Sequence, residues 1–250
     1  MTAPVVLITG ALTGIGNATA KTFAREGATV VVSGRHDDAG VRLLSELKEL
    51  GAEAAFIRAD VRHDEDLRAL IDQTVEKFGR LDVAVNNAGT EGQPGPVTDQ
   101  TPESYAATFD TNVLGTLLSM KHEIRAMQAQ GGGAIINISS VLGQAAYPGA
   151  SVYTASKHAV EGLTKAAALE GAAFGVRVNA VAPGPIDTGM LDRFTGGSAE
   201  GKASLTSTIP LQRTGDPDEI AQTVLFLASE KASFITGHIV NVDGGKRAAL

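Results

Sequence analysis

Seven short runs of β-branched and aliphatic residues recur along the chain with helix-length segments between them: Val5 to Thr9, Thr29 to Ser33, Ala54 to Ala59, Leu81 to Asn86, Gly133 to Ser139, Val176 to Val181 and His238 to Val242. The runs are apolar nearly throughout instead of alternating. Each is therefore expected to bury both faces, the condition of a strand inside a parallel sheet whose crossovers are helices. This predicts an α/β fold, with one doubly wound domain over residues 1–250 and a seven-stranded parallel sheet flanked by helices. A chain of 250 residues forms one core of this kind and leaves no room for a second full domain. No repeat and no linker-like tract interrupts it.

Composition removes several function classes. The formal charge is −7 and Lys and Arg form no cluster, which argues against a nucleic-acid partner. Cysteine is absent, so there is no disulfide framework, thiolate metal site or catalytic thiol. The histidines His36, His63, His122, His158 and His238 are scattered without close ligand spacing, and no metal is expected. No apolar stretch approaches the roughly 20 residues of a membrane-spanning helix. Met1 to Gly10 runs into the first strand without the basic and long apolar regions of a secretory signal, so a cytoplasmic protein is expected. The sequons at Asn17 and Asn137 then carry no meaning.

Irregular sequence concentrates after the fourth, fifth and sixth runs, at Thr90 to Thr101, Val141 to Ser151 and Pro183 to Gly215. In an open α/β sheet these loops share the carboxyl side, where ligands bind. After the first run stands TGALTGIG, Thr9 to Gly16, leading into a helix pattern from about Ile15. Gly10 allows a tight exit from the strand, Gly14 a close approach of backbone to a pyrophosphate, and Gly16 close packing of the helix, whose N-terminus faces the anion. An ordinary structural turn has the same spacing, but the strand and helix on either side favour a dinucleotide. A P-loop would need Gly-Lys-Ser/Thr where Gly16 is followed by Asn17 and Ala18.

The second run ends in Ser33-Gly34-Arg35-His36, where an acidic residue would accept from a ribose 2′-hydroxyl. Arg35 instead suits a 2′-phosphate, which favours NADP(H) and leaves NAD(H) as the alternative. Asp37 and Asp38 follow, so a solvated polar turn remains open. Tyr153 and Lys157 open a helix pattern running to about Phe174, and their i, i+4 spacing puts them on one face. A nearby ammonium favours the phenolate and is expected to lower the Tyr153 pKa from its usual value of about 10, making the hydroxyl a proton donor and acceptor. On its own, this pair is more often ordinary helix surface.

Taken together, these residues resemble the classical short-chain dehydrogenase/reductase family over nearly the whole chain. The likeness rests on the glycine turn, on Asn86-Asn87-Ala88-Gly89, and on Ser140, Tyr153 and Lys157 in order and spacing. It extends to Asp60-Val61 after the third run, Asn112 in the helix after the fourth, and Pro183-Gly184 after the sixth. The resemblance implies a Rossmann-type domain that reduces a carbonyl or oxidises an alcohol of a small-molecule substrate, in a homotetramer in which Val242 to Gly245 would be buried. It implies that Tyr153 protonates the carbonyl oxygen, Ser140 hydrogen-bonds it, Lys157 holds ribose hydroxyls, and Asn112 anchors a proton-relay water. Because the family's serine lies thirteen residues before its tyrosine, Ser140 takes that role and Ser139 is structural. By the same resemblance Thr13, Gly14 and Ile15 belong to the phosphate turn, and Asp60 and Val61 contact adenine. Asn87, Ala88 and Gly89 line the cleft, and Ile186 and Thr188 meet the nicotinamide. Asn86 is assigned to bracing the sheet. Thr13 departs from the basic residue often found there in NADP-using members.

Leu142, Ala145, Ala146, Tyr147, Met190, Leu191 and Phe194 fall in the loops expected to flank the substrate and predict an apolar surface for a neutral ketone. Residues 186–215 include Thr195, Gly196, Gly197, Ser198 and Gly201, the composition of a mobile segment, and are expected to form a lid. Three other readings compete. An isomerase or dehydratase of the family's extended branch would show a different glycine spacing and a longer chain. A dinucleotide sensor would have no use for Asn112, Ser140, Tyr153 and Lys157 together, and a structural scaffold would bind neither cofactor.

Overall fold

The computed structural model describes residues 3–249. Met1 and Thr2, part of the segment read for targeting signals, lie outside the described residues. Seven strands form one parallel sheet: β1 (Val5–Thr9), β2 (Thr29–Gly34), β3 (Ala54–Arg58), β4 (Val83–Asn86), β5 (Gly133–Ile138), β6 (Val176–Pro183) and β7 (Ile239–Val242). Their order is β3-β2-β1-β4-β5-β6-β7. Nine α-helices are present among the described residues: α1 (Gly14–Arg25), α2 (Asp37–Glu49), α3 (Asp64–Phe78), α4 (Pro102–Phe109), α5 (Gly115–Gln130), α6 (Ser151–Gly171), α7 (Gly189–Phe194), α8 (Ala199–Ser207) and α9 (Pro217–Ala228).

Alternate strand residues serve opposite faces, which is why the runs had to be apolar throughout. Val6, Ile8, Val30, Val32 and Val85 join Phe23 of α1, Leu43 and Leu47 of α2, and Ile220, Val224 and Leu227 of α9. Val5, Leu7, Val31 and Ile135 join Leu67, Leu70 and Ile71 of α3, Met120 and Met127 of α5, and Ala167 and Ala168 of α6. Each fully buried Leu or Ile contributes about 1.5 to 3 kcal/mol relative to exposure, so these layers, more than local propensity, hold the helices. The edge strands depart furthest from full burial: β3 and β7 are half-covered because each has a neighbour on one side.

Strand ends move where side chains capture backbone groups. The sequence places the fourth strand from Leu81, but both backbone groups of Leu81 are taken by the Gln130 amide (3.0 and 2.7 Å), and β4 starts at Val83. Likewise the amide of His238 donates to Asn179 Oδ1 (3.0 Å), and β7 starts one residue later. The largest difference lies after β6. The stretch expected to be irregular folds as α7 and α8, separated by Gly196 and Gly197 in left-handed conformations. Ser198 caps α8 by accepting from the Gly201 amide (3.1 Å), a cap that its Gly-rich surroundings obscure. β1 lies between β2 and β4, where the strand order reverses, and the crevice beyond this switch point is the ligand side of the fold.

Candidate active site

A single cleft of about 710 Å³ opens at that switch point and runs from the ends of β1 and β2 to α7 and α8. At one end stands the turn from β1 into α1. Gly10 (φ +62°) and Gly14 (φ +54°) occupy left-handed conformations that any side chain would strain. A Cβ at Gly10 would stand 2.7 Å from Ala88 Cα, and one at Gly16 2.5 Å from the Asn87 amide. The turn is pinned from the next loop. Asn87 Nδ2 donates to the carbonyls of Thr9 (3.1 Å) and Gly10 (2.9 Å), and Thr9 Oγ1 accepts from the amides of Asn87 and Ala88. Thr13 precedes α1 in an extended conformation and makes no side-chain cap, so the first amides of α1 are left to a ligand. Gly10, Thr13, Gly14 and Ile15 line the cleft; Gly16 lies behind it, packed on the turn.

Arg35 stands exposed at the end of β2 and lines the cleft with Ser33, Gly34 and His36. Asp60 and Val61 line it as well. Arg62 grips the Asp60 carboxylate with two bonds from Nε (3.0 and 3.1 Å), and this holds its pKa down at about 2. Asn87, Ala88 and Gly89 make the floor, and Pro183, Gly184, Ile186 and Thr188 the far wall. Backbone that only glycine can supply, bare helix amides and a cationic rim fit a dinucleotide at this end.

At the other end, Ser140 caps the short turn Val141–Gly143, its Oγ accepting from the Leu142 amide (3.2 Å). Tyr153 lies in the first turn of α6, half-buried, with Ser140 near enough to lower its pKa. One turn on, the buried Lys157 sets its Nζ 5.7 Å from the centre of the Tyr153 ring and donates to the carbonyl of Ile138 (2.8 Å). Asn112 does not sit in a regular helix. The residues Asp110–Leu114 between α4 and α5 form a π turn, a device that turns one side chain inward. Its Oδ1 accepts from the Thr90 amide (2.8 Å), while Nδ2 donates to the Thr90 carbonyl (2.9 Å) and to Ser156 Oγ (3.0 Å). Asn112 is thus behind the wall, linked through Ser156 to the Tyr153 carbonyl (2.7 Å).

The electrostatics differ from the expected pattern. Burial pushes the Tyr153 hydroxyl up to about 12, Ser140 partly offsets this, and Glu91 adds to it. Lys157 is not among the groups that set it, because its ammonium is turned onto the Ile138 carbonyl. Burial in turn brings Lys157 down to about 8, opposed by the carboxylate of Glu161. Tyr153 is therefore protonated near neutral pH.

The wall includes Leu142, Tyr147, Met190, Leu191 and Phe194, but Ala145 and Ala146 are not part of it. It also carries groups that the sequence did not single out. Glu91 is paired with Arg193 of α7, Leu205 comes from α8, and Lys246 from the tail. Ser139, also in the lining, donates to the buried Glu161 (3.0 Å), which i, i+4 spacing from Lys157 would have flagged. Asn86 braces the sheet through Glu123 (2.9 Å) and Asn137 (3.0 Å).

A family profile described as enoyl-(acyl carrier protein) reductase matches residues 10–247. The chain belongs to the short-chain dehydrogenase/reductase family. Among curated members of that family, the A-factor type gamma-butyrolactone 1′-reductase (1S-forming) of Streptomyces virginiae is 44% identical over 246 residues, 98% of this chain and 96% of that protein. Among solved structures, levodione reductase superimposes with a TM-score of 0.97 at 34% identity, covering 100% of both chains. ElxO with NADP bound gives 0.91 at 38% identity, covering 99% of this chain and 100% of the other. Short-chain dehydrogenase/reductase architecture thus accounts for the single Rossmann-type domain and its strand order.

Proposed function

We propose that this protein transfers a hydride between NADP(H), or NAD(H), and a ketone or secondary alcohol, with Tyr153 as proton donor and acceptor at the substrate oxygen. The observation that carries this reading is the meeting of Ser140, Tyr153 and Lys157 at one wall of a cleft whose other end is built for a dinucleotide. The bound nicotinamide supplies or accepts the hydride.

The chain's own residues do the rest. Gly10, Thr13, Gly14 and Ile15 present backbone amides to the pyrophosphate, and Gly16 lets α1 close on the turn. Arg35 meets a 2′-phosphate, and Asp60 and Val61 flank the adenine. Asn87, Ala88 and Gly89, and Pro183, Gly184, Ile186 and Thr188, would line the cofactor, with Ile186 and Thr188 meeting the nicotinamide. During reduction Tyr153 gives its proton to the carbonyl oxygen while Ser140 hydrogen-bonds the same oxygen. Lys157, its ammonium turned onto the Ile138 carbonyl, would hold the ribose hydroxyls. Asn112, fixed by Thr90 and Ser156, anchors the proton relay that restores Tyr153.

Residues 186–215 act as the substrate lid, moving α7 and α8 together to exclude water from the transferring hydride. The reading includes a homotetramer in the cytoplasm. Exposed Tyr105, Leu114 and Leu117 along α4, the π turn and α5 support association, which light scattering tests.

The deciding experiment follows NADPH and NADH oxidation with a ketone panel for the native protein and Tyr153→Phe. Turnover lost in the variant, with dinucleotide binding kept, is the expected result. Equal turnover would overturn the role of Tyr153, and binding without any turnover would favour a dinucleotide sensor.

A further inference from the structure

We propose that Lys246 anchors a subsite for a carboxylate, so that the natural substrate is a ketone or alcohol carrying an acid group away from its reacting carbon. This rests on the oxidoreductase reading and names its substrate class.

The tail after β7 is folded back into the cleft. A Cβ at Gly184, on the wall assigned to the nicotinamide, would stand 2.8 Å from Asp243 Cα. One at Gly244 (φ +63°) would stand 2.7 Å from Ile209, just past α8. Lys246 follows at once, lines the cleft and is only 7% exposed. Its ammonium donates to Thr208 Oγ1, and that hydroxyl in turn donates to the Leu205 carbonyl (2.7 Å). One of three N–H donors is thereby used.

No carboxylate among the described residues pairs with it. Asp243 is near enough to be felt, but its two oxygens accept from the amides of Gly245 (2.9 Å) and Arg247 (2.7 Å). The other charges on the substrate half are already answered: Glu91 by Arg193, and Lys157 by the Ile138 carbonyl with Glu161 behind it. Lys246 is left as a buried cation in the lining of the cleft, with two donors that no described residue takes. A buried ammonium in such a position is costly unless an oxyanion meets it. Burial does lower the Lys246 pKa, as expected of a cation short of a partner. Tyr147, Met190 and Phe194 provide the hydrocarbon lining between the two polar ends.

The test compares kcat/KM for a keto acid, its methyl ester and the plain ketone of matched length, using the native protein, Lys246→Met and Lys246→Arg. The native protein is expected to prefer the acid over the ester by at least about tenfold. Lys246→Met should abolish that preference through KM, and Lys246→Arg should keep it. An acid-to-ester ratio unchanged by Lys246→Met overturns the proposal, as does a native protein that reduces the ester and rejects the acid. Circular dichroism checks each variant, and Lys246→Gln replaces Lys246→Met if the latter does not fold. If no carbonyl compound turns over with either nucleotide, the oxidoreductase reading fails by itself. The subsite is then judged by calorimetric titration of the keto acid into the NADP-loaded protein. Binding weakened about tenfold by Lys246→Met supports it, and equal or absent binding overturns it.

Discussion

The guanidinium of Arg193, on α7, grips both oxygens of Glu91, on the loop after β4, and so ties α7 to the loop that follows β4. Glu91 is largely covered while Arg193 is exposed, so the pair contributes about 1 kcal/mol or less to stability. Its effect is expected in positioning. Arg193→Ala should leave the melting temperature nearly unchanged, raise the ketone KM several-fold and increase hydrogen exchange across α7 and α8. Unchanged exchange with and without the side chain would remove Arg193 from any lid function.

Lys157 and Glu161 stand one turn apart on α6, both buried. Burial depresses the Lys157 pKa to about 8, and Glu161 opposes the shift. Activity that depends on the ammonium is therefore present below about 8 and lost as pH rises through it. Glu161→Gln keeps an acceptor for Ser139 but removes the charge, so the alkaline limb of kcat/KM should move to lower pH. Superimposable profiles would show that Glu161 only packs.

Glu123 is a buried carboxyl whose only hydrogen-bond donor among the described residues is Asn86, and burial raises its pKa from 4.5 to about 8. The folded state thus holds a proton that the unfolded chain releases between those values. The contribution of Glu123 is complete below 4.5 and is lost progressively as pH rises towards about 8. Glu123→Gln removes this dependence and should stabilise the protein at neutral pH by about 3 kcal/mol, with a benefit that shrinks on acidification. Thermal melts of both proteins across that range measure it.

Arg35 follows the end of β2, exposed at the rim of the cleft, where its charge is also felt by Asp60. Losing a charge-assisted contact to a 2′-phosphate costs about 1.5 to 3 kcal/mol. Arg35→Ala should therefore raise the KM for NADPH by about tenfold or more and leave that for NADH nearly unchanged. Equal effects on both would assign the 2′-phosphate to another group.

Much of this protein was readable before any coordinate. Two-faced apolar runs separated by helix-length segments require a buried parallel sheet, and seven such runs give the seven strands observed. The glycines at positions 10 and 14 were legible because a left-handed turn between strand and helix admits little else. Strand ends were less legible, since Gln130 and Asn179 settle them from elements distant in sequence. The helices α7 and α8 were hidden by the small residues around them, whose weak propensity is overridden by Leu191 and Leu205 packing inward.

The sequence by itself determined the fold class, which depends on local periodicity; it offered the phosphate-binding turn through the spacing of its glycines between strand and helix, and Ser140, Tyr153 and Lys157 as a set only through the family resemblance. Tertiary structure decided what those groups experience. It turned Lys157 onto Ile138, made burial the main influence on Tyr153, placed Asn112 on a π turn, joined Glu91 to Arg193, and brought Lys246 from the tail to the cleft. Charge and burial act through distances in space, and residues far apart in sequence set them only once the sheet has closed its two layers.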